Sequence, residues 1–108
     1  MCQRSCGGGD KAQAARDKNL LASDLDDRGD FEEALVLYEE AVAGFIEVHG
    51  HDHPDVANSK FNIALLLRNM DKAAESKQMF TEAAGIFRAA LGADHPHTKM
   101  AERRSAET

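Results

Sequence analysis

Five histidines are the residues best equipped for chemistry in this 108-residue chain, and they fall in two places. His49, His51 and His53 stand in "HGHDHPDV", while His95 and His97 stand in "LGADHPHT". Imidazole nitrogen ligates Zn²⁺ and Ni²⁺ well, so three histidines at alternate positions first suggest a metal site. Alternate residues of one loop are poorly placed to close a tetrahedral shell, however, and the two stretches share a Gly-x-Asp-His-Pro core. Asp52 or His53 can cap a helix N-terminus and Pro54 is preorganised for its first turn, and Asp94, His95 and Pro96 repeat that arrangement. Turn-building accounts for the recurring triplet, and no metal or other cofactor is expected.

The remaining chemistry is sparse. Cys2 and Cys6 lie in "MCQRSCGGGD", where two thiols without partner ligands in a glycine-rich segment read as an inert tail. Residues 1–10 are accordingly expected to be a disordered leader. There is no Gly-rich phosphate loop and no Ser-His-Asp or Cys-His arrangement, so an enzyme is not expected. The acidic run "DLDDRGDFEE", Asp24 to Glu33, suits a solvated turn with acids at a helix start, and secondarily could attract a basic peptide.

With a net charge of -6, the chain is unsuited to general contact with nucleic acid or an anionic membrane. Its longest apolar run, "IALLL" from Ile63, falls far short of the roughly 20 residues that span a bilayer. The N-terminus has no apolar stretch of the secretory kind, so a cytoplasmic location is expected.

What must position the histidine loops is a repeat. At a shift of 42 residues, Gly50, Asp52, His53 and Pro54 fall on Gly92, Asp94, His95 and Pro96. Ala15, Lys18, Ala22 and Leu25 fall on Ala57, Lys60, Ala64 and Leu67. Glu33, Glu40, Ala41 and Phe45 fall on Glu75, Glu82, Ala83 and Phe87, with Tyr38 on Phe80. Self-similarity at such a period indicates stacked structural units. Within a unit the apolar residues follow a helical period, as in Leu35, Tyr38, Ala41, Val42, Phe45 and Val48. Helices are therefore expected near 11–28, 31–48, 55–69, 72–91 and 96–106. Ala22, Ala41, Ala64 and Ala83 would allow close helix approach. The expected fold is all-α: an α-solenoid of two helix-turn-helix repeats, about 11–52 and 53–94, closed by a half-repeat helix at about 95–107.

The segment "ASDLDDRGDFEEALVLYEEA" resembles a tetratricopeptide repeat, with Ala22, Gly29, Phe31, Ala34, Tyr38 and Ala41 at its signature places. The second unit keeps Ile63, Ala64, Phe80 and Ala83 but has Asp71 for the turn glycine, Ala73 for the aromatic and Ser76 for the alanine. A 42-residue unit, against the usual length of about 34, is similar to the kinesin light chain subclass, whose second helix is longer. That resemblance implies a groove, lined by the first helix of each unit, that binds a protein or peptide as part of a scaffold or adaptor.

Carried over position by position, the groove residues are Arg16, Asn19, Ser23, Asp26 and Asp27 in the first unit. In the second they are Asn58, Phe61, Asn62, Leu65, Arg68 and Asn69, and Arg103 is added by the last helix. Asparagine can bond a peptide backbone as donor and acceptor, and arginine can pair with a carboxylate. Phe61 and Leu65 either hold an apolar side chain of the ligand or pack on a neighbouring helix. Two units are few for a stable stack, so the chain is expected to belong to a larger array, to be a small adaptor, or to complete itself by self-association, with Leu20, Leu21 and Met100 as candidate contacts.

Overall fold

The computed structural model describes residues 8–107; Cys2 and Cys6 lie outside them. Among these residues five helices follow one another: α1 (Gly8–Arg28), α2 (Phe31–His49), α3 (Pro54–Asn69), α4 (Ala73–Leu91) and α5 (Pro96–Glu107). No strand occurs among the described residues. Each helix packs chiefly on its neighbours in sequence, and the molecule is an elongated slab of 51 × 34 × 17 Å. This is the two-hairpin solenoid with a closing helix that the repeat requires.

The first helix begins earlier than its apolar stripe foretold. Gly8 to Asp10, assigned above to the leader, form the opening turn of α1. Glycine carries no apolar signal and disfavours helix by about 1 kcal/mol, so periodicity could not reach through "GGD".

Small residues set the helix spacing. Ala22, Ala41, Ala64 and Ala83 are all fully buried, and a Cβ on Gly44 of α2 would lie 3.2 Å from the Ala15 Cβ of α1. Around them Tyr38, Phe45, Phe80, Phe87, Ile63 and Leu66 fill the interior. Two of the repeated identities form equivalent ion pairs between the helices of each hairpin: Lys18 Nζ to Glu40 at 3.1 Å and Lys60 Nζ to Glu82 at 2.9 Å. The first pair is half-exposed and contributes little, whereas the Lys60 side chain is only 18% exposed and is screened less by water.

The unit-two departures have local remedies. Ser76, in place of alanine, is buried and donates its hydroxyl to the Ala64 carbonyl at 2.7 Å, which satisfies it inside the hairpin. Asp71, in place of glycine, adopts a φ of 63°, where Gly29 of unit one has 89°. A residue with a Cβ is disfavoured in that left-handed region. Asp71→Gly should therefore stabilise the fold by about 1 kcal/mol, seen as a higher urea midpoint with unchanged slope. A lower midpoint would mean that the aspartate side chain makes a compensating contact.

The His-Pro loops do what their repetition implied. His53 is the N-cap of α3, its Nδ1 accepting the Asp55 N–H at 3.0 Å, with Pro54 in the first turn. His95 repeats the bond, its Nδ1 accepting the His97 N–H at 3.1 Å. Thr98, fully buried, donates to the Gly92 carbonyl at 2.8 Å and ties the start of α5 to the end of α4.

Candidate functional site

One broad surface is built by α1, α3 and α5, the first helices of successive units. Residues spaced by four, three and four share one side of a helix. On α1 this stripe is Arg16, Leu20, Ser23 and Asp27; on α3 it is Asn58, Asn62, Leu65 and Asn69. Shifted by another unit, it continues on α5 as Met100, Arg104 and Glu107. All four α1 residues are exposed, and so are Asn58, Asn69 and Met100; Asn62 and Leu65 are half-buried.

Not every residue assigned to the groove is held in the same way. Asn19 is half-buried between α1 and α3, where its amide both donates to Ser59 Oγ at 3.0 Å and accepts from it at 3.2 Å. Ser59 itself is fully buried. This reciprocal pair joins the two repeats and occupies the Asn19 amide on the protein itself. Phe61 meets Phe80 of α4 edge to face, with ring centroids 5.2 Å apart, so packing on a neighbouring helix accounts for much of its surface. Its remaining edge lines a hollow of about 180 Å³ between α3 and α5, together with Asn58, Asn62, Phe87, His97 and Met100. Arg68 is exposed near the end of α3, and Arg103 is exposed on α5, three residues beyond Met100.

The far end of the surface is acidic. Asp26 and Asp27 sit at the end of α1, and the Asp26 carboxylate accepts a hydrogen bond from Asn69 of α3. Burial lifts the Asp26 pKa above its usual value of 3.8; the Asn69 bond opposes the rise and the neighbouring charge of Asp27 adds to it. The buried Tyr38 lies close enough to feel the same charges. Burial raises its pKa, a hydrogen bond with Ser23 lowers it, and the charges of Asp26 and Asp27 raise it further.

A raised carboxyl pKa has a definite sign in stability. The folded chain holds the Asp26 proton more firmly than the unfolded chain, so this stabilising contribution is present below pH 3.8 and is lost as pH rises through the folded value. Asp26→Asn should accordingly be more stable than the parent at neutral pH, with the difference shrinking as acid protonates Asp26. Urea titrations at neutral and acid pH measure this; a difference that does not change with pH contradicts the assignment.

A family model described as tetratricopeptide repeat matches residues 10–83, from the first turns of α1 to the middle of α4. The chain belongs to the tetratricopeptide repeat family. Such repeats generally mediate protein–protein interaction and in general are not catalytic. No curated protein matches the sequence. Among the described residues, no helix is long and apolar enough to cross a membrane.

Two exposed apolar residues of the α1–α3–α5 face, Leu20 and Met100, are not among the positions carried over from the family resemblance. Leu20 (69% exposed) and Met100 (47% exposed) are expected from sequence at the end faces, yet their spacing sets them in the stripes of Arg16 and Asn58. The signal was present in the repeat, since Leu20 aligns with Asn62 and Met100 with Asn58 at the 42-residue shift. On the opposite side, a hollow of about 330 Å³ opens where α2 and α4 diverge over Ile63 and Leu67, with Leu35, Glu39 and Met79 at its walls. It is the larger of the two, but its apolar lining is the seam between repeats, where Leu35 and Met79 also pack on the core.

Proposed function

We propose that the chain is a non-enzymatic interaction module of the kinesin light chain-like kind, in which the α1–α3–α5 face binds a peptide segment of a partner protein in a scaffold or adaptor role. The observation that carries this reading is the hollow between α3 and α5, where two asparagines flank the exposed edges of Phe61 and Met100. An apolar side chain of the ligand enters there, while Asn58 and Asn62 bond its backbone as donor and acceptor. Leu65 and Leu20 extend the apolar track toward α1.

The acidic corner selects the other half of the ligand. Asp26 is already partly desolvated beside Asp27, so a lysine or arginine placed there gains a charge-assisted bond and relieves the like-charge repulsion. The proposed ligand is thus an extended segment with an apolar anchor and a basic residue, met in the cytoplasm. Two units offer a small surface, and affinity should be micromolar.

Selection from a random peptide library displayed on phage tests the reading. Peptides enriched on the immobilised chain should combine an apolar side chain with a basic one and lose binding at high salt. Enrichment of acidic peptides, or none over an unrelated helical protein, would overturn it.

A second reading rests on Leu21 and Val36, which are 51% and 52% exposed and lie off the peptide face. In this reading they stack one copy of the chain on another. Sedimentation velocity over a wide concentration range separates the two: a mass that rises with concentration, and falls back in Leu21→Glu, favours self-association.

A further inference from the structure

We infer that His49, His53 and Asp55 form a binding site for a single divalent transition-metal ion of the Zn²⁺ type at the turn joining the two repeats. This trio differs from the alternate histidines that first suggest a metal. His49 ends α2, His53 caps α3 and Asp55 lies in the first turn of α3, so the site spans two helices instead of one loop.

The geometry suits a small ion. One ligand atom from each of the three residues lies within 4.8 Å of the others. His49 Nε2 is 3.4 Å from Asp55 Oδ2, and His53 Nδ1 is 3.7 Å from the same oxygen. Ligand atoms at the corners of a tetrahedron with metal bonds of about 2.0–2.1 Å stand roughly 3.3 Å apart. The two imidazoles stack at 3.8 Å with 13° between their planes, so they must splay about their own torsions for both lone pairs to converge on one ion. The His53 Nδ1 lone pair now accepts the Asp55 N–H, and coordination through that atom replaces this cap. Two imidazoles and a carboxylate leave a fourth position for water. The side chains are 25%, 36% and 39% exposed, which admits the ion while shielding it in part.

The second repeat supplies an internal comparison. Its equivalents are Leu91, His95 and His97, and His95 makes the same capping bond as His53. Capping therefore needs neither an imidazole at position 49 nor a carboxylate at position 55. A bound ion would tie the end of α2 to the start of α3 and fix the angle between repeats, on which the width of the peptide face depends.

The test uses the full chain without a histidine tag, carrying Cys2→Ser and Cys6→Ser so that thiols cannot bind the metal. Calorimetric titration with Zn²⁺ should give one ion per chain with a micromolar Kd and a raised Tm. His49→Leu, the side chain that unit two already uses, and Asp55→Asn should each weaken binding by more than about tenfold at unchanged helicity, while His51→Ala should not. Three results would overturn the site: no saturable binding in the micromolar range, binding that survives His49→Leu, or an equal loss in His51→Ala.

Discussion

Phe80→Ala should destabilise the protein by about 3–5 kcal/mol, enough to unfold a large share of the molecules at ambient temperature. Phe80 is fully buried on α4 and its ring meets Phe61 edge to face, so truncation leaves a cavity and removes an aromatic contact together. Small domains carry only about 5–15 kcal/mol in total, so one such cavity consumes a large fraction. Phe80→Leu, which keeps most of the volume, should lose much less. Circular dichroism with urea measures both; a loss below about 1 kcal/mol for the alanine variant would show that the hairpin of α3 and α4 collapses around the gap. Because Phe61 also walls the hollow proposed to take the peptide, the same variant should lose binding in whatever fraction remains folded.

The second large effect is on recognition. Asn62→Ala combined with Arg68→Ala should abolish capture of a selected peptide, at least about tenfold in Kd, without lowering helicity. Asn62 lines the hollow and Arg68 is exposed on the same helix, so neither belongs to the buried core. Glu39→Ala, on the wall of the opposite hollow, should leave the affinity unchanged. Fluorescence anisotropy with a labelled peptide reads the comparison. Retention in the double variant with loss in Glu39→Ala would move recognition to the α2 and α4 side.

Much of this architecture was legible in the sequence because repetition and the helical period are collective signals. The twelve identities named above fix the unit, and the buried alanines and phenylalanines of the stripes are the ones that pack inside. Helix limits agreed to within about three residues, α1 being extended by glycines that periodicity cannot register. The surface was harder to read. Asn19 has the same chemical character as Asn58, and nothing near it in sequence announces that Ser59, 40 residues away, will engage its amide. Phe61 divides its ring between Phe80 and the hollow, a compromise that spacing alone leaves open. The proximity of His49, His53 and Asp55 is hidden in the sequence, because these residues meet only when the turn folds α2 back toward α3.

Amide-shift mapping by nuclear magnetic resonance, with the isotopically labelled chain titrated by a selected peptide, tests the proposed peptide face most directly. A groove across the first helices predicts the largest shifts at Asn58, Asn62, Leu65 and Met100, with smaller ones at Leu20 and Asp27. Shifts confined to Leu35, Glu39 and Met79 would place the ligand on the second-helix side and contradict it.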